Sequence, residues 1–167
     1  MLKRILIGSL FVAIAIMSSH SGRPRAAASM ACTATTTSGD VVGVDAGASC
    51  AFLGIPYAAP PTAARRWKAP EAPTPWAAPL TVATPPASCP NMTSGSPGGN
   101  EDCLKLNLWV RHPLPATPAP VIVWFHTGGF ISSSANFASH NGRNFTERTG
   151  VIVVAPKPCE YSARRFM

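Results

Sequence analysis

The sequence predicts an α/β fold built as one domain. Three observations predict it: two continuous apolar runs of five residues (121–125, "VIVWF", and 151–155, "VIVVA"), a helix-compatible segment between them, and shorter strand-like stretches upstream. Continuous apolar runs of this length read as strands covered on both faces, as in a mostly parallel sheet flanked by helices. Between them Asn141 is placed to cap a short helix through "GRNFTERT", and Gly150 to stop it. Strand, loop, helix, strand is a βαβ crossover, which sets the class. The 167 residues leave room for one sizeable core and not for two.

The remaining elements follow from local pattern. Residues 41–44 and 51–54 read as strands, and in "LKLNLWV" the leucines alternate with Lys105, Asn107 and Trp109, as in a strand with unequal faces over 104–110. Eleven of the eighteen prolines fall between Pro56 and Pro97, which removes backbone donors too often for a long helix or a central strand. That stretch is expected to be irregular coil, packed on the body by Trp67, Trp76 and Leu80 rather than disordered. A second proline cluster, "HPLPATPAP", reads as a loop joining two strands.

The N-terminus has the grammar of a secretory signal: Lys3 and Arg4, an apolar run over 5–17, then small residues. A run of thirteen residues falls short of the roughly 18 needed to cross a bilayer, so no transmembrane span is expected in the mature chain. Residues 1–28 are assigned to the signal, with cleavage after Ala28 or, alternatively, Ala31. Export, secreted or periplasmic, is the expected localisation, and "SMAC" leaves lipoprotein acylation at Cys32 as a competing reading. The formal charge is +7. Four of the fourteen basic residues leave with the signal, so ten remain against seven acidic ones, and no basic stripe interleaved with aromatics survives to bind nucleic acid.

Export permits disulfides, and an odd count of five cysteines leaves one without an intramolecular partner. There is no CxxC pair and His20, His112, His126 and His140 are scattered, which argues against a zinc site; no metal or cofactor is expected.

The run over 121–125 leads into Gly128-Gly129, where bare backbone replaces side chains at the expected ligand edge of an open α/β sheet. Such amides can cradle phosphate or hold an oxyanion, or the glycines can simply make a turn. No "GKS" or "GKT" occurs, which weakens the phosphate reading.

In order along the chain stand "FLGIPYAAPP", "RRWKAP", "CPN", "NEDCLKLNLWV", "VIVWFHTGGF" and "GVIVVA". This series closely resembles the type B carboxylesterase family, which includes cholinesterases and bacterial esterases of the p-nitrobenzyl type. The resemblance implies the N-terminal part of an α/β-hydrolase fold over residues 29–156, and a small-molecule carboxylic ester as substrate of the full-length parent. It implies that Gly128 and Gly129 supply oxyanion-hole amides, that Cys89 and Cys103 form a disulfide, and that Arg66 and Glu101 form an ion pair. His126, on the oxyanion loop itself, reads as a packed residue rather than a catalytic base.

Two departures stand out. The family usually has glycine where Thr127 stands, and a β-branched residue tolerates positive φ poorly. After "VIVVAP" the family pattern gives way to "KPCEYSARRFM", so residues 157–167 read as a divergent tail, as a reading-frame shift near Lys157 would produce. Ester hydrolysis on this fold needs a serine in GxSxG, then an acid and a histidine. The nearest approach, Gly47-Ala48-Ser49-Cys50-Ala51, lacks the last glycine and leads into a strand, which makes Ser49 a loop residue in this reading. No nucleophile, acid or base can be assigned, and the expectation is a chain inert by itself. A secreted or lipid-anchored non-catalytic binding module of cholinesterase-like ancestry is the alternative.

Overall fold

A computed structural model of the protein describes residues 32–93, 96–129 and 132–158. The expected signal segment, 1–28, and the tail from 159 onward lie outside the described residues. The strands are β1 (Thr33–Thr36), β2 (Gly39–Val42), β3 (Val44–Asp45), β4 (Ser49–Pro56), β5 (Leu80–Thr81), β6 (Asn91–Thr93), β7 (Ser96–Gly98), β8 (Lys105–Arg111), β9 (Val121–Val123) and β10 (Ile152–Pro156). One α-helix, α1 (Arg143–Thr149), and two 3₁₀ turns, Ala63–Arg65 and Ala138–His140, complete the described elements.

The body is a five-stranded mixed sheet in the order β3-β4-β8-β10-β9. β3, β4, β8 and β10 pair antiparallel in succession, and β10 pairs in parallel with β9 in the register Ile152↔Val121. The β9-α1-β10 passage is the expected crossover, so the class is α/β. Asn141 contributes to the helix start through its Oδ1, which accepts from Arg143 N–H at 2.9 Å, one residue before the Gly142 cap position. Gly150 ends the helix in the left-handed region, φ 76°, donating its N–H to Thr146 O.

Side-chain alternation builds two cores, one on each face. On β4, Cys50 and Phe52 join Cys32, Val41, Val82 and Val110 beneath the small sheet β1-β2-β5, while Ala51 packs with Trp109, Ala135, Val153 and Ala155 on the other face. Helix α1 lies on this second face and donates the buried Thr146 hydroxyl to Trp109 O. Gly142 lets it approach: a Cβ there would sit 2.6 Å from Val153 Cγ1 and 2.8 Å from Trp109 Cε3.

β8 is a strand with unequal faces, and its buried face is that of Asn107 and Trp109, with the leucines at 106 and 108 only half-buried, because α1 covers the Trp109 side. Three expectations need correction. β9 stops at Val123 and is not covered on both faces: Val121, Ile122 and Val123 are 56%, 42% and 54% exposed, since no described element packs on this outermost strand. Ser49 is the buried first residue of β4, not a loop residue, because pairing with Arg111 extends the strand back to it. Finally, Trp76 and Leu80 do seat the proline-rich coil on the first core, with Trp76 Nε1–H donating to Asp40 O, but Trp67 is 60% exposed, standing on a left-handed backbone position at φ 64°.

Candidate functional site

The parallel pair β9/β10 fixes which edge of the sheet holds the glycines. Trp124 N–H still donates to Val154 O, after which the chain leaves the sheet at its carboxyl edge. Gly128 and Gly129 follow there with φ of 138° and 61°, both in the left-handed half of backbone space. The turn closes where Ser132 N–H donates to Gly128 O at 3.1 Å. A Cβ on Gly128 would drive into the Ser132 carbonyl, whereas one on Gly129 would meet open space. Gly128 is therefore required by packing and backbone together, Gly129 by backbone alone. Among the described residues, no backbone acceptor takes the Gly128 or Gly129 N–H.

Thr127 avoids the conflict its branching raised. The non-glycine positive-φ positions among the described residues are Ala63, Trp67 and Ser133, so Thr127 keeps ordinary backbone and passes the unusual torsions to the two glycines. His126 is half-buried, with Nδ1–H donating to Thr127 O at 2.9 Å and its ring stacked on His140 at 6.4 Å between centroids.

The other residues singled out in the sequence gather at the same edge. Cys103, immediately before β8, is bonded to Cys89. Arg66 makes a two-pronged contact with Glu101, Nε–H donating to Oε2 at 3.1 Å and the terminal guanidinium nitrogen pairing with Oε1. Asn91 ties this group to the glycine loop, its Nδ2 donating to Cys89 O and, at 3.4 Å, to Ser133 O. Tyr57, Arg66, Trp67, Lys68, Leu104 and Pro158 border a cavity of about 410 Å³ at this edge; Gly128 and Gly129 do not line it.

Two features went unread in the sequence. Lys157, placed there in a divergent tail, is 1% exposed; its N–H continues the sheet onto Lys105 O and its ammonium donates to the Pro86 and Ala87 carbonyls. Burial pushes its pKa down to about 8, and the neighbouring charge of Lys105 adds to the shift. The second is a disulfide between Cys32 and Cys50. Cysteine counting in an exported chain was the available signal, but five cysteines leave open which one is unpaired and, for each choice, how the other four pair, and sequence does not choose among these. This bond occupies the Cys32 sulfur that a lipoprotein thioether would need, so the two states exclude each other.

The one serine in a GxSx context lies at the wrong end. Ser49 pairs with Arg111, at the sheet edge opposite the glycine loop, and its buried hydroxyl donates to Glu147 Oε1 at 2.8 Å. The Arg143 hydrogen bond, then that of Ser49, holds the Glu147 carboxyl below its usual range. Among the described residues no histidine joins the Ser49–Glu147 pair, so it ties β4 to α1 and has no base there to activate it.

The chain is 38% identical over 118 residues to an acetylcholinesterase of Bungarus fasciatus and 37% identical over 122 residues to one of Electrophorus electricus. Each match covers 63% of this chain and 19% of the relative. Acetylcholinesterase 1 of Caenorhabditis elegans is 36% identical over 118 residues, again across 19% of its length. The profile of the Carboxylesterase family matches residues 30–157, which takes in the glycine loop, both disulfides and the whole five-stranded sheet, and the chain belongs to that family.

Proposed function

We propose that this chain carries the oxyanion-stabilising part of an exported carboxylic ester hydrolase and depends on residues outside its 167 for the nucleophile, acid and base. The supporting observation is the glycine loop: two successive amides at the carboxyl edge of the sheet, released from secondary structure and held by a turn that Gly128 alone can make. In the reaction class of the family, attack on an ester carbonyl moves negative charge onto its oxygen, and donors fixed in advance of that event stabilise it without reorganisation. Removing one such donor costs about 10²- to 10³-fold in turnover.

The ion pair and the Cys89–Cys103 bond act on the same edge as positioning elements, holding the segments that flank the glycine loop. Two disulfides suit an oxidising compartment, in keeping with export. By itself the chain should not turn over esters, since its only GxSx serine is buried at the opposite edge.

The test is a graft. Residues 30–157 replace the matching segment of the Electrophorus electricus acetylcholinesterase, and hydrolysis of p-nitrophenyl acetate is measured per active site titrated with an organophosphate. Gly128→Ala should lower turnover per titrated site about 100-fold with little change in KM. If Gly128→Ala lowers only the yield of titratable protein, with turnover per site unchanged, the loop is structural and the proposal fails.

A further inference from the structure

At the sheet edge away from the glycine loop, three potential metal ligands converge. Cys32 precedes β1, Cys50 lies on β4 and His112 follows β8, yet their ligand atoms all fall within 4.8 Å of one another. His112 Nδ1 is 3.6 Å from Cys32 Sγ and 3.2 Å from Cys50 Sγ, and its backbone N–H, donating to Ala48 O at 2.9 Å, anchors the residue beside the strand. Both cysteines are buried, at 3% and 0% exposure, and His112 is half-buried. The separation of positions 32, 50 and 112 argued against a zinc site in the sequence; the antiparallel pairing of β4 with β8 removes that separation.

We propose that Cys32, Cys50 and His112 form a binding site for a zinc-class divalent cation, present only when the Cys32–Cys50 disulfide is reduced. Two thiolates and a neutral imidazole are a soft to borderline donor set, which selects zinc over calcium or magnesium, and a solvent molecule can complete a tetrahedron. Charge favours the complex as well: two thiolates neutralise the dication, so a buried site carries no net charge. The Cα atoms of Cys32 and Cys50 are 5.6 Å apart. Side-chain rotation can therefore part the sulfurs to the about 3.8 Å that two thiolates on one tetrahedral zinc require.

The chemistry balances with an external thiol as reductant. Two thiols give two electrons and two protons to the disulfide, becoming a disulfide themselves and leaving Cys32 and Cys50 as thiols. Binding the cation then releases those two protons. The external disulfide, taking back the two electrons and leaving as two thiols, reverses the sequence, re-forms the Cys32–Cys50 bond and expels the metal. Before oxidation, the site keeps this pair of thiols apart from Cys89, Cys103 and Cys159, and so guides the correct pairing.

The test uses the full chain reduced with a phosphine, with Zn²⁺ and Co²⁺ as probes. Zinc should slow iodoacetamide alkylation of Cys32 and Cys50 about tenfold or more, read residue by residue by peptide mass spectrometry, and His112→Ala should abolish that protection. Co²⁺ should give thiolate charge-transfer and tetrahedral d–d bands at one ion per reduced chain, and none with the oxidised chain or with Cys32→Ser/Cys50→Ser. Equal protection in His112→Ala would mean two thiols chelating without a built site. That result, or cobalt bands surviving in the double serine variant, would overturn the proposal.

Discussion

Lys157 shows how much one side chain can carry that its neighbours in sequence conceal. It follows the last apolar strand and is the last residue that the family profile matches, yet its ammonium is buried beneath the coil at Pro86 and Ala87. Periodicity cannot reveal this, because a lysine enters a core only when carbonyls from a distant loop are there to receive it. The sign of its titration follows from its depressed pKa. The folded chain gives up the proton near pH 8, the unfolded chain near 10.5, so between those values the unfolded state binds more protons and stability rises with pH. Below pH 8 the cost of burying the charge is felt in full. We expect urea unfolding of a Cys159→Ser chain to gain about 2 kcal/mol between pH 7 and pH 9.5, and the gain to vanish in Lys157→Met. A flat profile in the parent would show that the ammonium is solvated.

Among the elements, the crossover was the most legible part of the fold, because β9, α1 and β10 are each signalled by local pattern and joined in the commonest way such pieces can be. What sequence could not supply was coverage. Trp109 and Asn107 alternate with leucines, and hydrophobicity alone puts the leucines inside; the helix instead settles on the tryptophan side, where Gly142 allows contact. Gly142→Ala should therefore cost about 1 to 3 kcal/mol, read as a shift in the urea midpoint, since the new methyl must displace Val153 or Trp109. An unchanged midpoint would mean that α1 does not pack where described. The disulfides are tested by alkylation before and after reduction: Cys32, Cys50, Cys89 and Cys103 should be labelled only after reduction, and labelling of Cys89 in the unreduced protein would contradict the Cys89–Cys103 bond. Of these two bonds, the family resemblance implied one, while the other joins Cys32, just before β1 of the small sheet, to Cys50 on β4 of the main sheet, a contact that only the stacking of the two sheets creates.

Among the described residues, the main sheet has one face closed by β1-β2-β5, the other partly closed by α1, and one side left open. β9 forms that side, and Phe125, Phe137 and Phe145 are also exposed, at 61%, 51% and 47%. An apolar outermost strand with unpaired backbone groups is a template for association. The chain spans 19% of the length of the acetylcholinesterases of Bungarus fasciatus and Electrophorus electricus that it matches. We predict that the chain self-associates in sedimentation and binds a hydrophobic dye, and that Ile122→Lys weakens both; a monodisperse parent with no dye binding would contradict this. The candidate site was legible for the same reason it is incomplete: the glycine loop is local, whereas a catalytic triad is assembled from segments far apart in sequence, and no GxSxG occurs in these residues. The central claim, oxyanion donors without a nucleophile, is tested most directly by treating the 167-residue chain with a fluorophosphonate and recording its intact mass. The account predicts an unmodified mass and no hydrolysis of p-nitrophenyl acetate above a serum-albumin control; a stoichiometric phosphonyl adduct on a serine, with turnover abolished alongside, would contradict it.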